Sequence, residues 1–145
     1  MYVRTILSGK GVEVATIARS ASLAQAAAVL RDRRVGALVV SADGKRIDGI
    51  VSERDIVRCL ASHGASALGR TVAEAMTAEV VTCRPNDHVG YLMALMTEER
   101  IRHVPVLDDD GLLGGIVSIG DVVKHRLGEL QAENESLYEY LHQGR

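Results

Sequence analysis

The sequence has no tryptophan and no phenylalanine, and only four tyrosines in 145 residues. Nearly half of the chain is nonetheless apolar (47%), so its core has to be assembled from Val, Leu, Ile, Ala and Met. Cysteine is scarce too: Cys59 and Cys83 are far apart and outside any Cys-x-x-Cys pattern. That excludes a disulfide framework and points to a reduced, intracellular chain. No apolar run approaches bilayer length, and the first residues lack the basic start and apolar stretch of a secretory signal. A cytoplasmic location without membrane contact is therefore expected. The formal charge is only −2, with acidic and basic residues interspersed, which argues against the basic footprint of a nucleic-acid binder.

Catalytic and metal-binding patterns are missing as well. The five histidines have no ligand spacing and the cysteines do not join them. Asp108-Asp109-Asp110-Gly111 resembles the start of a calcium loop, but the closing Glu is absent and a turn is the simpler reading. There is no phosphate loop of the Gly-x-x-x-x-Gly-Lys-Ser/Thr type and no Gly-x-Ser-x-Gly elbow. Without a nucleophile paired to a base, nothing points to an enzyme. Ser8-Gly9-Lys10-Gly11 reads as a flexible, basic segment: a solvated turn is the simpler reading, with a phosphate contact from Lys10 as the alternative.

What the sequence does contain is one unit written twice. Gly49-Ile50-Val51-Ser52-Glu53-Arg54-Asp55 returns as Gly115-Ile116-Val117-Ser118-Ile119-Gly120-Asp121. Adding 66 to a residue number aligns 14–60 with 80–126 without a gap, with about a dozen identities. Two equivalent half-units predict a pseudo-symmetric pair with a cleft between them.

Each unit reads as β-α-β-β-α. Short β-like segments open the units at Val14-Ala15-Thr16-Ile17 and Val80-Val81-Thr82-Cys83. Helices follow, with Leu23, Ala26, Ala27 and Leu30, or Val89, Leu92, Met93 and Met96, on one face. Strands at 35–40 and 101–106 lead through the hairpin turns Asp43-Gly44 and Asp110-Gly111 into strands at 47–51 and 112–117. Pro105 in such a strand suits an edge or a strand start. Final helices begin at Ser52 and Ser118. The divisions are a lead segment (1–13), a first repeat with its connection (14–70), a second repeat (71–127) and a helical extension (128–145). In the last helix Val123, Leu127, Leu130, Asn134, Leu137 and Leu141 alternate at four and three, a heptad-like stripe. It can pack on its own domain or on a second subunit.

The Ser-x-x-Asp after each Gly-Ile-Val strand holds most of the functional information. Taken singly it is a helix cap. Twice over, and with Asp where capping prefers Glu or Gln, it also places a short carboxylate where two adjacent hydroxyls of a ribose can donate to it. The helix N-terminus favours an anion at the same point. The ordered set, together with Ala75-Met76-Thr77 and Arg102-His103-Val104-Pro105-Val106, resembles a tandem pair of CBS motifs (the cystathionine β-synthase type), a Bateman module of the short stand-alone bacterial kind.

That resemblance implies an α+β fold of two β-α-β-β-α repeats packed through their sheets, followed by a C-terminal helix. It implies ligand clefts between the repeats for adenosine-containing molecules. Carried over by position, Asp55 and Asp121 are the ribose acceptors, and Ser52 and Ser118 lie near ribose and phosphate. Thr16, Ile17, Thr82 and Cys83 border the base or sugar, and Ala37, His103 and Pro105 belong to the strands flanking base and phosphates. Arg54, Arg102 and His103 are the phosphate candidates. In the second motif Ile119-Gly120 replace Glu53-Arg54; Gly120 allows close approach but removes a cation, so one cleft is expected to bind well and the other weakly or not at all. The expected ligand is AMP, ADP, ATP or NAD(H), bound by a non-catalytic regulatory module that forms a homodimer and acts on a protein partner the sequence does not identify. The alternatives are an S-adenosylmethionine sensor and a dimerising scaffold with vacant clefts.

Overall fold

The computed structural model describes residues 1–144. The elements run α1 (Val3–Lys10), β1 (Thr16–Ile17), α2 (Leu23–Arg33), β2 (Ala37–Val40), β3 (Gly49–Ser52) and α3 (Glu53–His63). After a 3₁₀ segment (Gly64–Gly69) come α4 (Val72–Ala75), α5 (Val89–Glu99), β4 (His103–Leu107), β5 (Leu113–Ser118) and α6 (Ile119–Gln143). The small-residue connection at 63–70 is thus a wound turn, and Ala67 within it is fully buried.

Local chemistry sets most boundaries. Ser22 closes a capping box with Gln25, which starts α2. Arg34 and Arg100, 66 residues apart, end α2 and α5 in the left-handed conformation (φ 55 and 54), at a cost of about 1 kcal/mol each. The first hairpin turn is held by the Asp43 carboxylate, which accepts from the N–H groups of Lys45 and Arg46. Asp108 does the same for Asp110 and Leu112.

The two sheets have matching registers. Ala37 faces Ser52 across β2–β3, and His103 faces Ser118 across β4–β5. β1 pairs parallel to β2, whereas the second opening segment makes only one isolated bridge, Cys83 to Val106. Proline explains this departure from the expected strand. In the first repeat Val39 N–H donates to the Ala15 carbonyl, and Pro105 stands at the equivalent place with no N–H to give. Pro105 lies in mid-strand, but on the outer edge of the two-stranded sheet.

Each repeat's core is completed by the helix that precedes the other repeat. Val72 of α4 joins Leu23, Leu38 and Val51 in the first core. Val3, Ile6 and Leu7 of α1 join Leu92, Val104 and Val117 in the second. β2 is buried along its whole length, Ala37 and Val39 on one face and Leu38 and Val40 on the other. α6 anchors itself through the buried Val122. Its stripe is not packed on its own domain: Leu127, Leu130 and Leu137 are 56%, 42% and 59% exposed.

Candidate functional site

Ser52 and Ser118 cap α3 and α6 with matching geometry. Ser52 N–H donates to Asp55 Oδ2 at 2.8 Å and Asp55 N–H to Ser52 Oγ at 3.3 Å; in the second repeat the distances are 2.9 and 3.1 Å. Both motifs are therefore real capping boxes. Capping uses only Oδ2 of Asp55, and among the described residues no group donates to its Oδ1. Capping and ligand contact are compatible on one carboxylate.

Asp55 opens onto a cleft of about 300 Å³ between the repeats. The first repeat contributes Gly36, Ala37, Ile50, Ser52, Arg54, Asp55 and Arg58. The second contributes Glu99, Arg100, Ile101, Arg102 and His103, and the segment between them contributes Thr77, Glu79, Val80 and Val81. Four arginines face three carboxylates. Arg54 Nη1 donates to the Arg100 carbonyl at 2.9 Å, which ties the start of α3 to the end of α5 across the repeats. Gly36 lets these side chains pack closely: a Cβ there would come within 2.9 Å of both Glu53 Oε1 and His103 Cε1, and one of them would have to shift.

Six of the sequence-derived candidates line this cleft: Ala37, Ser52, Arg54, Asp55, Arg102 and His103. The others lie elsewhere. Thr16 and Ile17 sit in β1. Thr82 lines a separate, shallow groove at the hairpin tips with Arg46 and Leu112. Pro105 is buried in β4. Cys83 is buried in the second core, where burial and then Asp87 push its thiol up to about 12, so it is inert. Ser118, Ile119, Gly120 and Asp121 belong to the opposite motif, with Ile119 packed on the second core. A Cβ at Gly120 would meet only the Ser118 hydroxyl, at an ordinary 3.6 Å.

Arg58 was not anticipated, although it follows Asp55 and Arg54 by three and four residues and so shares their helix face. Thr77, Val80 and Val81 lie just before Thr82, within or next to motifs singled out for other reasons. His103 differs from expectation in charge. Burial, then Arg102, hold its imidazole below the usual histidine range against the opposing pull of Glu53, so it is neutral at pH 7. It offers a neutral hydrogen-bonding group rather than a third cation.

The pseudo-equivalent point in the second repeat is arranged otherwise. Lys10 makes an ion pair with Asp121 Oδ2; residues 8–11 are exposed, but 8–10 are the end of α1 rather than a turn. Burial raises the Asp121 pKa, but the Lys10 ammonium and the Ser118 N–H outweigh it and leave the carboxyl below its usual range.

Two repeats, each ending in a Ser-capped helix after a β-hairpin and facing the other across a polar cleft, define a tandem regulatory-domain architecture. The CBS domain family matches twice, over residues 10–62 and 72–128, and the chain belongs to that family. A CBS-domain containing protein from Agrobacterium tumefaciens superposes with a TM-score of 0.83 at 45% identity, covering 86% of this chain and 92% of that one. The mitochondrial CBS domain-containing protein CBSX3 of Arabidopsis thaliana is 40% identical over 119 residues, 79% of this chain; the chain spans 57% of the plant protein's length. A CBS domain protein from Pyrobaculum aerophilum, solved in complex with AMP, matches at 28% identity and TM-score 0.73 over 83% of this chain and 89% of its own. The CBS domain pair of protein MJ0100, solved with 5′-methylthioadenosine and S-adenosyl-L-methionine, matches at 27% and 0.76 over 89% and 98%. No helix among the described residues is long and apolar enough to cross a membrane.

Proposed function

We propose that the protein is a non-catalytic regulatory module that binds an adenine nucleotide in the Asp55 cleft. The observation that carries this is a carboxylate with one oxygen uncommitted, in the same 300 Å³ cleft as four arginines. Asp55 Oδ1 accepts the two ribose hydroxyls. Arg54, Arg58 and Arg102 meet the phosphates through charge-assisted hydrogen bonds, and Val80, Val81 and Ile101 supply an apolar bed for the base. A cavity of this size is at the small end of ligand sites and suits AMP, ADP or ATP better than NAD(H). The complex with AMP in the Pyrobaculum protein supports the ligand class.

S-adenosylmethionine is the second reading, favoured by the MJ0100 complex and by Glu79 and Glu99, which can face a sulfonium or an amino group. Signalling follows if the ligand prefers one relative arrangement of the repeats and so biases it. The exposed leucines of α6 supply a face for a homodimer, through which that bias reaches a regulated protein partner. Two free thiols suit a reducing compartment such as the cytoplasm.

Thermal melting with AMP, ADP, ATP, NAD⁺, NADH and S-adenosylmethionine tests the reading. A ligand that binds only the folded chain at a hundred times its dissociation constant adds about 2.7 kcal/mol of stability. A rise in melting temperature with an adenine nucleotide, lost in Asp55→Ala, is expected. No rise with any of the six, in protein free of co-purified ligand, leaves a dimerising scaffold instead.

A further inference from the structure

We propose that Lys10 is an internal latch on the second cleft: its ammonium holds the Asp121 carboxylate, so the two repeats offer one ligand site rather than two. The pseudo-symmetry makes the comparison direct. The 66-residue offset puts Met76 where α1 has Lys10, and the Met76 side chain lies against Gly49 with no charge to present to Asp55. Both carboxylates keep Oδ1 free of donors among the described residues, but Asp55 makes no ion pair. Lys10 instead donates to Asp121 Oδ2, the same oxygen that accepts Ser118 N–H at 2.9 Å.

The latch is built rather than incidental. Its two side chains are only 29% and 23% exposed, so the pair is screened less than a surface ion pair. The base of Lys10 is fixed by burial of Val3, Ile6 and Leu7 in the second core, with Leu7 packed onto Gly115 one turn before the lysine. Val3 N–H and Val89 N–H tie the α1 start to the Asp87 and Met1 carbonyls. Most of the ordering entropy of the lysine backbone is therefore already spent in folding. A ribose would have to share this carboxylate with an ammonium that already neutralises its charge. The second motif has Gly120 where the first has Arg54, so no arginine at that position draws the phosphates in and offsets the loss.

The inference rests on the Asp55 reading only for the ligand class. Isothermal titration with AMP, ATP and S-adenosylmethionine compares wild type, Lys10→Met, Lys10→Arg and the double variant Lys10→Met/Asp121→Ala. Wild type and Lys10→Arg are expected to take one ligand per chain, and Lys10→Met two, with the extra site removed by Asp121→Ala. The new site should bind at least tenfold tighter than any second event in wild type. If wild type binds none of the probes, the Asp55 reading fails by itself; Lys10→Met must still gain an Asp121-dependent site. Lys10→Gln repeats the test should the methionine variant melt early. The latch is overturned if neither variant gains a site, or if wild type already fills one that Asp121→Ala removes.

Discussion

The two capping motifs are built from one pattern and stand in different surroundings. Around Asp55 the capping box, the left-handed Arg100 and the arginine after the serine combine into an open, cationic pocket bridged by Arg54. Around Asp121 the capping box and the left-handed Arg34 are equally present, but Gly120 cannot bridge to α2 and Lys10 sits on the carboxylate. The backbone motif fixes where a ligand can approach. Two positions differ between the repeats, Arg54 against Gly120 and Met76 against Lys10, and on the proposed reading they decide which motif takes it.

The largest expected effect breaks the open side. Asp55→Ala removes a charged acceptor of two hydroxyl hydrogen bonds, each worth roughly 1.5–3 kcal/mol, so nucleotide affinity should fall by about a hundredfold or more. Asp121→Ala should leave it unchanged in the same titration. Val39→Pro makes the first repeat resemble the second: it deletes the N–H bonded to the Ala15 carbonyl and should cost about 1–3 kcal/mol in urea unfolding. The converse change, Pro105→Val, should create a new slowly exchanging amide in β4 by hydrogen exchange.

Arg54→Ala sharpens the comparison by giving the first motif the second's lack of a cation. Nucleotide binding should weaken about tenfold, with binding of adenosine itself little changed. The smallest effect belongs to His103, between the two motifs and facing Arg102, Glu53, Lys10 and Asp121. Its folded pKa lies below its unfolded value, so the unfolded chain binds more protons as pH falls through the usual histidine range. Stability should be fully present above that range and decline as pH drops toward the folded pKa. His103→Asn should flatten this part of the pH–stability curve.

Much of the frame was legible because it is local or periodic. Ser52 and Asp55 are three residues apart on one helix turn, Asp43-Gly44 announces its hairpin, and the 66-residue offset pairs Ala37 with His103. What was not legible depends on docking. The contact between Lys10 and Asp121 spans 111 residues and arises only because α1 packs on the second repeat instead of the one it precedes. Arg100 enters the site through a carbonyl freed by its left-handed cap, which no side-chain pattern reports. The family resemblance puts Thr82 on an opening strand beside the base or sugar, and in the structure it lines the neighbouring groove at the hairpin tips. Val80 and Val81 line the cleft instead, in a segment where Pro105 leaves the ladder incomplete.

The most direct measurement is a crystal structure of the protein grown with AMP. The expected result is nucleotide density within hydrogen-bonding distance of Asp55 Oδ1, phosphate oxygens on Arg54 or Arg58, and Lys10 still paired with Asp121. Density at Asp121 with Lys10 displaced, or nucleotide bound away from both motifs, would contradict the asymmetry on which the functional reading stands.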